Sequence, residues 1–448
     1  MESFHPVMHT IGSLLATGNV GLPFIGFMIL GVLVLVGHYL SEAKVAQLCR
    51  LIMLTHMATV ILACALYLGN GTSGITIDLG YWFLAGHYRF DVTFLLDGLS
   101  CSLLLVCSFL LNVIGYFCVR YLHRDRGYYR FCMLYLLFAS SISLVITAGT
   151  VDLLFVGWEF LGIASALLIG FFHERHQPAH NGLHAFIYYR FCDIALLIGA
   201  VIWHHYAHTS QIPLAFSSID TSPQWDLSVG QFTIVSLFFV LASLAKSAQF
   251  PMNGWLPKAM EGPTPSSAIF YGALSIHAGA YLLIRLFPII DQALLVRTLI
   301  VIIGTLSVMH GAFVGRTKSD VKTVLAYAAM TQVGIIYIEI GLGWTTLALI
   351  HMIGHSLIRA LQFLRSPSVL HDFHHIGHEP MLIMHSRIER LIPSKLQLWV
   401  YRQSLGEANL DSLFRHLLVR PIHQLSATAI QLENKIIALW SNRSGEKS

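Results

Sequence analysis

The sequence is short of charge. Asp, Glu, Lys and Arg together make up only 11% of the 448 residues, whereas 55% of the residues are hydrophobic. Soluble domains carry roughly 25% charged residues, because they need polar surface to cover their exterior. The composition therefore excludes an ordinary soluble domain and indicates a protein that lies in a lipid bilayer.

Several other absences argue against further classes of function. The net charge is only +4, and no basic patch is interleaved with aromatic residues, which disfavours nucleic-acid binding. The seven cysteines form no CxxC pair, so metal, redox and disulfide functions are weakly indicated and core positions are expected. GxSxG, HExxH and P-loop patterns are missing, which disfavours a membrane-embedded hydrolase. We expect this chain to be no enzyme and to hold no cofactor.

Long apolar runs dominate the sequence instead. Runs of about 20 apolar residues are typical of membrane-spanning helices. The first run is long enough to span and lacks a basic leader, so no cleavable signal is expected. The predicted fold is an all-α polytopic transmembrane bundle of about eleven spans. These spans lie near residues 20–40, 48–68, 93–119, 130–149, 151–172, 183–206, 231–256, 264–287, 293–314, 322–342 and 345–364.

Basic residues in the connections predict the orientation. The long connections at 69–92 and 207–228 are nearly free of Lys and Arg. Cytoplasmic loops are enriched in these residues, so the alternation predicts an external N-terminus and a cytoplasmic C-terminal region. The basic residues that follow the third, fifth and ninth spans are Arg120, Arg124, Arg126, Arg175, Arg316 and Lys318.

The composition changes near residue 365, which predicts a membrane domain over 1–365 and a second region over 366–448. Apolar residues there recur at helical spacing, and we favour partner or self-packing over membrane-surface binding because no strongly basic face emerges. The link histidines are expected in a solvated or partner-contacting segment, not in a metal site. The link histidines are His371, His374, His375 and His378; the helical apolar residues are Leu410, Leu413, Phe414, Leu417, Leu418, Leu425, Ile430, Ile436 and Ile437.

Two charges stand alone within apolar runs. Glu159 lies in the fifth predicted span and Lys246 in the seventh. A charge at membrane depth costs about 2.5–3.5 kcal/mol on insertion scales, and such residues commonly mark ion pathways. We therefore expect both to belong to a proton pathway.

Further ionisable residues fall in the predicted spans. Arg190 and Asp193 share a helical turn and are expected to form a structural ion pair more than to carry protons. His277 is equally compatible with a hydrogen-bonded core histidine and with a relay member. Asp97, at the entrance of a span, is expected to cap a helix or to pair structurally. The eleventh span carries three residues that we place in the proton pathway because they share one helix face, namely His351, His355 and Arg359.

The seventh span is predicted to break near its middle. Pro251 and Pro257 follow Lys246, and a proline removes a backbone donor and clashes with the preceding turn. Broken helices survive at membrane depth where protein or a wet cavity satisfies the freed backbone groups, and they recur at transporter ion sites. A partly desolvated lysine at such a break can exchange protons near neutrality. We expect its separation from the Glu159 carboxylate to switch it between holding and releasing a proton.

At these residues the sequence resembles a known family. The stretch LAKSAQFPMNGWLPKAMEGPTPSSAIFYGALSIHAGAYLLIR resembles the core signature of proton-translocating antiporter-like subunits. That family includes the large membrane-arm subunits of respiratory complex I and the Mrp-type cation/proton antiporters. The resemblance covers roughly residues 90–370 and continues through VGWEFLGIASALLIGFF, YYRFCDIALLIG, GRTKSDVKTVLAYAAMTQVGIIY and ALIHMIGHSLIRALQFL.

The resemblance implies roles for particular residues. Glu159 and Lys246 match the central proton-handling pair of the family, and His351 and His355 match its later histidines. Arg359 replaces the neighbouring family lysine; because arginine stays protonated, it is expected to stabilise charge without releasing a proton. Tyr271 stands where the family has a histidine, while His277 lies two turns further on, so the relay is expected to be rerouted.

The C-terminal part departs from the family pattern. The chain ends its spans at the eleventh, without a counterpart of the exit-side lysine, and continues into amphipathic helices. A shortened core of this kind resembles the DabB-type membrane subunits of the DAB inorganic-carbon accumulation complexes. That resemblance implies a bacterial inner membrane location and a cytoplasmic DabA-like partner, a zinc subunit similar to a β-carbonic anhydrase that hydrates CO₂ to bicarbonate. The alternatives are a complex I-type or Mrp-type antiporter subunit and a purely structural membrane anchor.

Overall fold

The chain divides into two compact units, Met1–Met384 and His385–Ser448. The span 367–393 lies outside the described residues, so the predicted domain boundary near 365 stays a prediction, and so does the behaviour of the link histidines. The computed structural model describes residues 4–71, 74–86, 88–212, 225–273, 275–366, 394–407, 412, 414, 416 and 420–445.

The first unit is a helical bundle. Within the described residues it has eleven helices long and apolar enough to cross a membrane, which confirms the predicted all-α polytopic fold. Two short helices, α8 and α9, share one irregular span, Thr264–Arg285. The helices are α1 (Phe4–Leu35), α2 (Glu42–Gly69), α3 (Gly98–Tyr121), α4 (Tyr128–Thr147), α5 (Val151–Ile169), α6 (His176–Ala207), α7 (Val229–Lys246), α8 (Thr264–Ser267), α9 (Ala278–Arg285), α10 (Phe287–Ile290), α11 (Leu294–Gly315), α12 (Val321–Gly341) and α13 (Thr345–Arg365).

The first span begins well before the predicted residue 20. Its N-terminal half is rich in hydroxyl residues, which lowers its hydropathy. These hydroxyls bond back to the carbonyls of the same helix: Thr17 donates to Ser13 at 2.6 Å and Ser13 donates to Thr10 at 2.8 Å. Because these two hydroxyls are satisfied within the helix, the helix extends through them.

The connection predicted at 69–92 contains a β-hairpin that the sequence analysis missed. Strands β1 (Ile75–Ala85) and β2 (Tyr88–Leu96) pair antiparallel. Strand β2 also takes the first residues assigned to the third span, because a short apolar run can be a strand or a helix by hydropathy alone. The Gly149 amide donates to the Thr93 carbonyl at 2.7 Å, which fixes the hairpin to one end of the bundle.

The seventh span breaks as predicted. Helix α7 ends at Lys246, and the chain runs irregularly to a 3₁₀ helix at Pro257–Glu261. Protein groups satisfy the freed backbone: the Trp255 indole donates to the Ala245 carbonyl at 3.0 Å, and the Phe250 amide donates to Ser307 Oγ at 2.9 Å. The break therefore places Lys246 at a helix end inside the bundle.

The eighth span is irregular for a different reason. Between α8 and α9 lie a π-helical turn, Ala268–Ala273, and a 3₁₀ turn, Ser275–His277. The hydroxyl of Ser247 donates to the Ile276 carbonyl at 2.7 Å and accepts from the Ala280 amide at 3.2 Å. These two backbone groups would bond each other in a regular helix, so the inserted serine opens the helix there.

The second unit contains two described helices, α14 (Ser394–Leu405) and α15 (Arg420–Gly445). Helix α15 covers the second of the two predicted amphipathic stretches and exposes Leu425 and Ile430. Most other side chains of the predicted apolar faces lie outside the described ones, so their packing stays a prediction.

Candidate functional site

Four charged side chains from three helices meet inside the bundle. Glu159 comes from α5, Arg190 and Asp193 come from α6, and Lys246 ends α7. Arg190 forms an ion pair with Glu159, and its Nη2 lies 2.7 Å from Asp193 Oδ2. Lys246 Nζ lies 3.9 Å from Asp193 Oδ1. These four residues, called the central cluster below, carry two formal charges of each sign.

The central cluster corrects the expectation that Glu159 and Lys246 are lone charges. The Glu159 carboxylate pairs with Arg190, and Lys246 faces Asp193. The predicted ion pair between Arg190 and Asp193 is confirmed, but it joins the other two residues. A sequence window displays each charge only among the apolar residues of its own helix, so the pairing across helices is invisible in it.

The ammonium group of Lys246 is held in a fully buried site. It donates to the Trp158 carbonyl at 3.0 Å and lies 4.6 Å from the ring centre of Tyr189. Helix α5 makes room for it at Gly162, where a Cβ atom would lie 2.5 Å from Nζ. The lack of a side chain at Gly162 therefore leaves the space that the ammonium group of Lys246 occupies.

Hydrogen bonding in the central cluster is incomplete. Asp193 Oδ1 accepts from the Trp158 indole at 2.6 Å, but Asp193 Oδ2 accepts no hydrogen bond in the described structure. The Nε and Nη2 atoms of Arg190 likewise donate none, although Nη2 is in ion-pair range of Asp193. One guanidinium therefore lies between two carboxylates and has donors to spare for either.

A second polar group connects the eighth and eleventh spans. His277 Nε2 lies 2.9 Å from His355 Nδ1, and His277 Nδ1 lies 3.2 Å from Ser356 Oγ. Arg359 Nε donates to His355 Nε2 at 3.5 Å. His277, left open by the sequence, is thus placed beside the predicted stripe of the eleventh span. We call these four residues the histidine chain.

The contacts fix the tautomers of the histidine chain when both rings are neutral. His355 Nε2 accepts from Arg359, so its proton sits on Nδ1 and is donated to His277 Nε2. His277 then donates from Nδ1 to Ser356, whose hydroxyl donates to the Met352 carbonyl at 2.7 Å. A cavity of about 20 Å³ beside His277 and Ser356 is large enough for one water molecule.

His351 has partners that the sequence analysis missed. Its Nδ1 lies 3.0 Å from Glu339 Oε1, and its Nε2 lies 3.0 Å from Gln332 Oε1. Both partners belong to α12. Each nitrogen of the His351 ring therefore has a polar side chain of α12 within hydrogen-bond distance. Glu339 was overlooked because it stands two residues before the end of α12, where a charge attracts less attention than in the middle of a span.

A short polar bridge joins the two groups. Ser247, next to Lys246, bonds to the backbone of the eighth span on both sides of His277. Tyr337 on α12 donates to the Ser243 carbonyl of α7 at 3.2 Å. The chain neighbours of Lys246 and of His277 are therefore in direct contact.

Asp97 is a structural residue, as predicted. Its carboxylate accepts from the Ser100 amide at 2.9 Å and caps α3. It also pairs with buried Arg285, with 2.5 Å between Nη1 and Oδ2, a partner that the sequence analysis missed. Burial raises the pKa of Asp97, but the nearby Arg285 charge and hydrogen bonds outweigh it and hold that pKa below its usual value.

All seven cysteines are buried and free, which confirms their core positions. Pro251 lies in the break after α7, and Pro257 begins the 3₁₀ helix. The side chain of Tyr271 lies outside the described ones, so the rerouting of the relay around it stays a prediction.

Comparison with known proteins assigns the family. Residues 148–396 match the family described as "NADH:quinone oxidoreductase/Mrp antiporter, TM", and residues 82–132 match "NADH-Ubiquinone oxidoreductase (complex I), chain 5 N-terminus". The chain is 30% identical over 377 residues to NAD(P)H-quinone oxidoreductase subunit 5, organellar chromatophore 1, of Paulinella chromatophora, covering 82% of this chain and 56% of that protein. It is 33% identical over 314 residues to NAD(P)H-quinone oxidoreductase chain 5 of Synechocystis sp., covering 68% and 45%.

Two solved structures share the fold. A chain of the Mrp complex from Dietzia sp. DQ12-45-1b has a TM-score of 0.60 at 24% identity, covering 80% of this chain and 36% of that chain. A chain of the membrane-bound sulfane sulfur reductase, an archaeal respiratory membrane complex, has a TM-score of 0.67 at 18% identity, covering 79% and 70%. The chain spans about half the length of the curated relatives it matches. It is a multi-pass membrane protein that belongs to the NADH:quinone oxidoreductase/Mrp antiporter family.

Proposed function

We propose that the chain is a proton-conducting subunit of a larger membrane complex, and that any catalysis resides in its partners. The observation that carries the proposal is the central cluster. Lys246 is fully buried, lies 3.9 Å from Asp193 and shares the site with an arginine that two carboxylates contact. Buried ionisable groups at membrane depth are costly and commonly serve ion pathways.

A change of pairing in the central cluster supplies the proton step. In the structure Arg190 contacts both Glu159 and Asp193, so Lys246 shares the Asp193 carboxylate with it. When Arg190 moves wholly to Glu159, the Asp193 carboxylate is left to Lys246 and favours its charged form; when Arg190 moves wholly to Asp193, it takes that carboxylate and favours loss of the lysine proton. The spare donors of Arg190 allow either position without breaking a completed hydrogen-bond network. This modifies the predicted switch, because Glu159 acts on Lys246 through Arg190.

The histidine chain provides a second station. With these tautomers a proton taken up at His355 Nε2, in place of the long contact from Arg359, can pass from His355 Nδ1 to His277 Nε2, and His277 can then release its Nδ1 proton to a water molecule in the cavity beside Ser356. Both rings are then protonated at Nε2 and must turn over before the next proton passes. Arg359 remains charged and orients His355 without itself exchanging a proton. His351, between Glu339 and Gln332, lies one helical turn further along α13.

The proposal also covers the assembly in which the chain works. We favour the inorganic-carbon uptake reading, in which protons entering through this chain drive a cytoplasmic, DabA-like zinc subunit in the inner membrane of a bacterium. Its support is the resemblance of the sequence and the apolar residues that the second unit exposes, among them Trp399 and Leu425. In this arrangement the N-terminus is external and the second unit cytoplasmic.

Two other assemblies compete with it. The relatives named above are subunits of NAD(P)H-quinone oxidoreductases, and one structural neighbour belongs to an Mrp complex, so a complex I-type or Mrp-type subunit is the second candidate. A passive membrane anchor is the third. The anchor has no need of the central cluster, which makes it the easiest candidate to test.

The test is proton flux through the complex purified by a tag on this chain. In proteoliposomes with an internal pH-sensitive dye, Lys246→Ala and Glu159→Gln are expected to abolish proton flux while the complex stays assembled. Exposed Lys44 on α2 supplies the matched control, and Lys44→Ala is expected to conduct normally. Normal flux in assembled Lys246→Ala complexes would falsify the conduction proposal and favour the anchor.

The same preparation identifies the assembly. Mass spectrometry of the co-purified proteins and a zinc determination separate the candidates. A zinc-containing, carbonic-anhydrase-like partner supports inorganic-carbon uptake. Quinone oxidoreductase or Mrp subunits in its place would reject that reading and favour the second candidate.

A further inference from the structure

Three histidines form a column along the first turns of α6. His176, His180 and His184 are spaced by four residues, so they lie on one face of the helix. Their ring centres are 6.0 Å apart for the first pair and 6.4 Å for the second. The column takes no part in the central cluster or the histidine chain.

The column runs from the surface into the bundle. His176 and His180 are exposed, whereas His184 is buried, with 7% of its surface accessible. Lys258, on the 3₁₀ helix that follows the break, lies with its Nζ 3.2 Å from His184 Nε2. Asn181 of the same face donates to the Lys258 carbonyl at 3.1 Å and holds that segment against α6. The buried imidazole of His184 therefore has a polar partner, the ammonium group of Lys258.

The inner end of the column points to the central cluster. The His184 ring lies 5.1 Å from the ring of Tyr188, which is fully buried one turn further along α6. Tyr189, the next residue, has its ring centre 4.6 Å from Lys246 Nζ. Six residues separate His184 from Arg190, which is about 9 Å along the helix axis. The two phenols occupy this interval.

An ordinary solvated helix face does not account for this arrangement. A solvated face does not require a further histidine below the surface, because a buried imidazole is costly unless it has a hydrogen-bond partner. Here the third histidine is buried and has a partner, and the residues after it lead to the lysine. Exposed imidazoles exchange protons with water at physiological pH more readily than other side chains.

We propose that the column of His176, His180 and His184 is an access route that passes protons between one end of the bundle and the central cluster. This inference rests on the proposed proton conduction. The route opens at the end of the bundle where α5 finishes and α6 begins, opposite the end to which the β-hairpin is fixed. The exposed pair His176 and His180 also has the i, i+4 spacing that binds Zn²⁺ on a helix, so zinc should obstruct the entrance.

Two variants test the route in the proteoliposome flux assay. His184→Gln can keep a hydrogen bond to Lys258 but cannot titrate, and it is expected to lower flux about tenfold, equivalent to about 1.4 kcal/mol. His180→Ala removes an exposed member that water can replace, so it is expected to lower flux less than His184→Gln does and to lose inhibition by added ZnCl₂. His205→Ala is the matched control, because His205 is exposed on the same helix at its other end.

The outcomes separate the two proposals. Wild-type protein and His205→Ala are expected to be inhibited by ZnCl₂ applied to the side on which the column opens. Wild-type flux in His184→Gln, or zinc inhibition that persists in His180→Ala, overturns the access route even when Lys246→Ala abolishes flux. A wild-type complex that conducts no protons removes both proposals together.

Discussion

Two ion-pair sites among the described residues of the bundle, the Asp97–Arg285 pair and the central cluster, differ in how completely they are hydrogen-bonded. In the first, Arg285 binds Asp97 through both terminal nitrogens and donates from Nε to Tyr281 at 3.0 Å, while Ser100 satisfies the carboxylate further. In the central cluster, Arg190 and Asp193 keep atoms without any hydrogen bond. A saturated network has one arrangement, whereas an unsaturated one has alternatives.

This difference separates stability from function. Both sites bury charge, but Glu159 and Arg190 of the central cluster are partly exposed, whereas Asp97 and Arg285 are almost fully buried. The Asp97–Arg285 pair caps α3 and fixes the end of the eighth span, and nothing is gained if it rearranges. The central cluster is useful because its pairing can change. Four substitutions test this difference between the two sites.

Asp97→Ala is expected to cost about 3–5 kcal/mol of the free energy of unfolding, because it leaves a buried arginine without its partner. Chemical denaturation of the purified protein in detergent measures this. The matched control is Asp291→Ala, which removes an exposed ion pair with Arg297 and should cost less than about 1 kcal/mol. Equal losses for the two variants would refute the structural role of the Asp97 pair.

Asp193→Asn is expected to lower proton flux about a hundredfold, equivalent to about 2.7 kcal/mol, with a smaller loss of stability than Asp97→Ala. The amide keeps the shape and the bond from the Trp158 indole but removes the charge that Lys246 and Arg190 share. Flux in proteoliposomes and denaturation in detergent are both needed. Asp226→Asn, in an exposed connection, is the control. If Asp193→Asn lost as much stability as Asp97→Ala but kept its proton flux, the central cluster would be a structural ion-pair site like the Asp97–Arg285 pair.

Gly162→Ala is expected to lower flux about tenfold, or about 1.4 kcal/mol, because the new methyl group displaces the lysine ammonium from the Trp158 carbonyl. The flexible lysine can move, so the protein should still fold. Gly21→Ala serves as the control, since a Cβ atom there meets nothing within 4 Å. Unchanged flux in Gly162→Ala would mean that the position of the ammonium group is unimportant.

Ser247→Ala is expected to change the free energy of unfolding by only about 1 kcal/mol, because the Ile276 carbonyl and the Ala280 amide can then bond each other. The regularised helix should shift His277 away from His355, which lowers flux a fewfold. Ser236→Ala is the matched control: its hydroxyl is buried within α7, the helix that ends just before Ser247, and forms no hydrogen bond in the described structure. Flux at the control level in Ser247→Ala would show that the bridge does not couple the two groups.

Much of the fold follows from hydropathy. Six of the eleven predicted spans, the fourth, the fifth and the eighth to eleventh, agree with the described spans to within three residues at both ends, because lipid requires long helices whose backbone bonds are internal. The predicted seventh span extends ten residues beyond the end of α7. The exceptions have local causes. The hydroxyls of α1 hide its first half, and strand β2 imitates the start of a span. The irregular eighth span depends on a serine from another helix, which no local pattern contains.

The candidate site was predictable in its members but not in its pairing. Glu159, Lys246, Arg190, Asp193, His277, His351, His355 and Arg359 could all be named, because a charge or an imidazole is conspicuous in an apolar run. Arg285 and Glu339 were missed, because each stands at the end of a span where charges are ordinary. The column on α6 was missed because its outer members read as loop residues.

Hydropathy along the chain was enough to place it in a membrane and to locate most of its helices. It also identified the ionisable side chains that lie within the spans. The charge partners of these side chains were set by the tertiary structure. Glu159 pairs with Arg190, Lys246 lies near Asp193, and Asp97 pairs with Arg285. The reason is physical. Hydropathy and helix period are properties of one segment. The charge partners of a buried group come from other helices, and their positions depend on close packing such as that at Gly162.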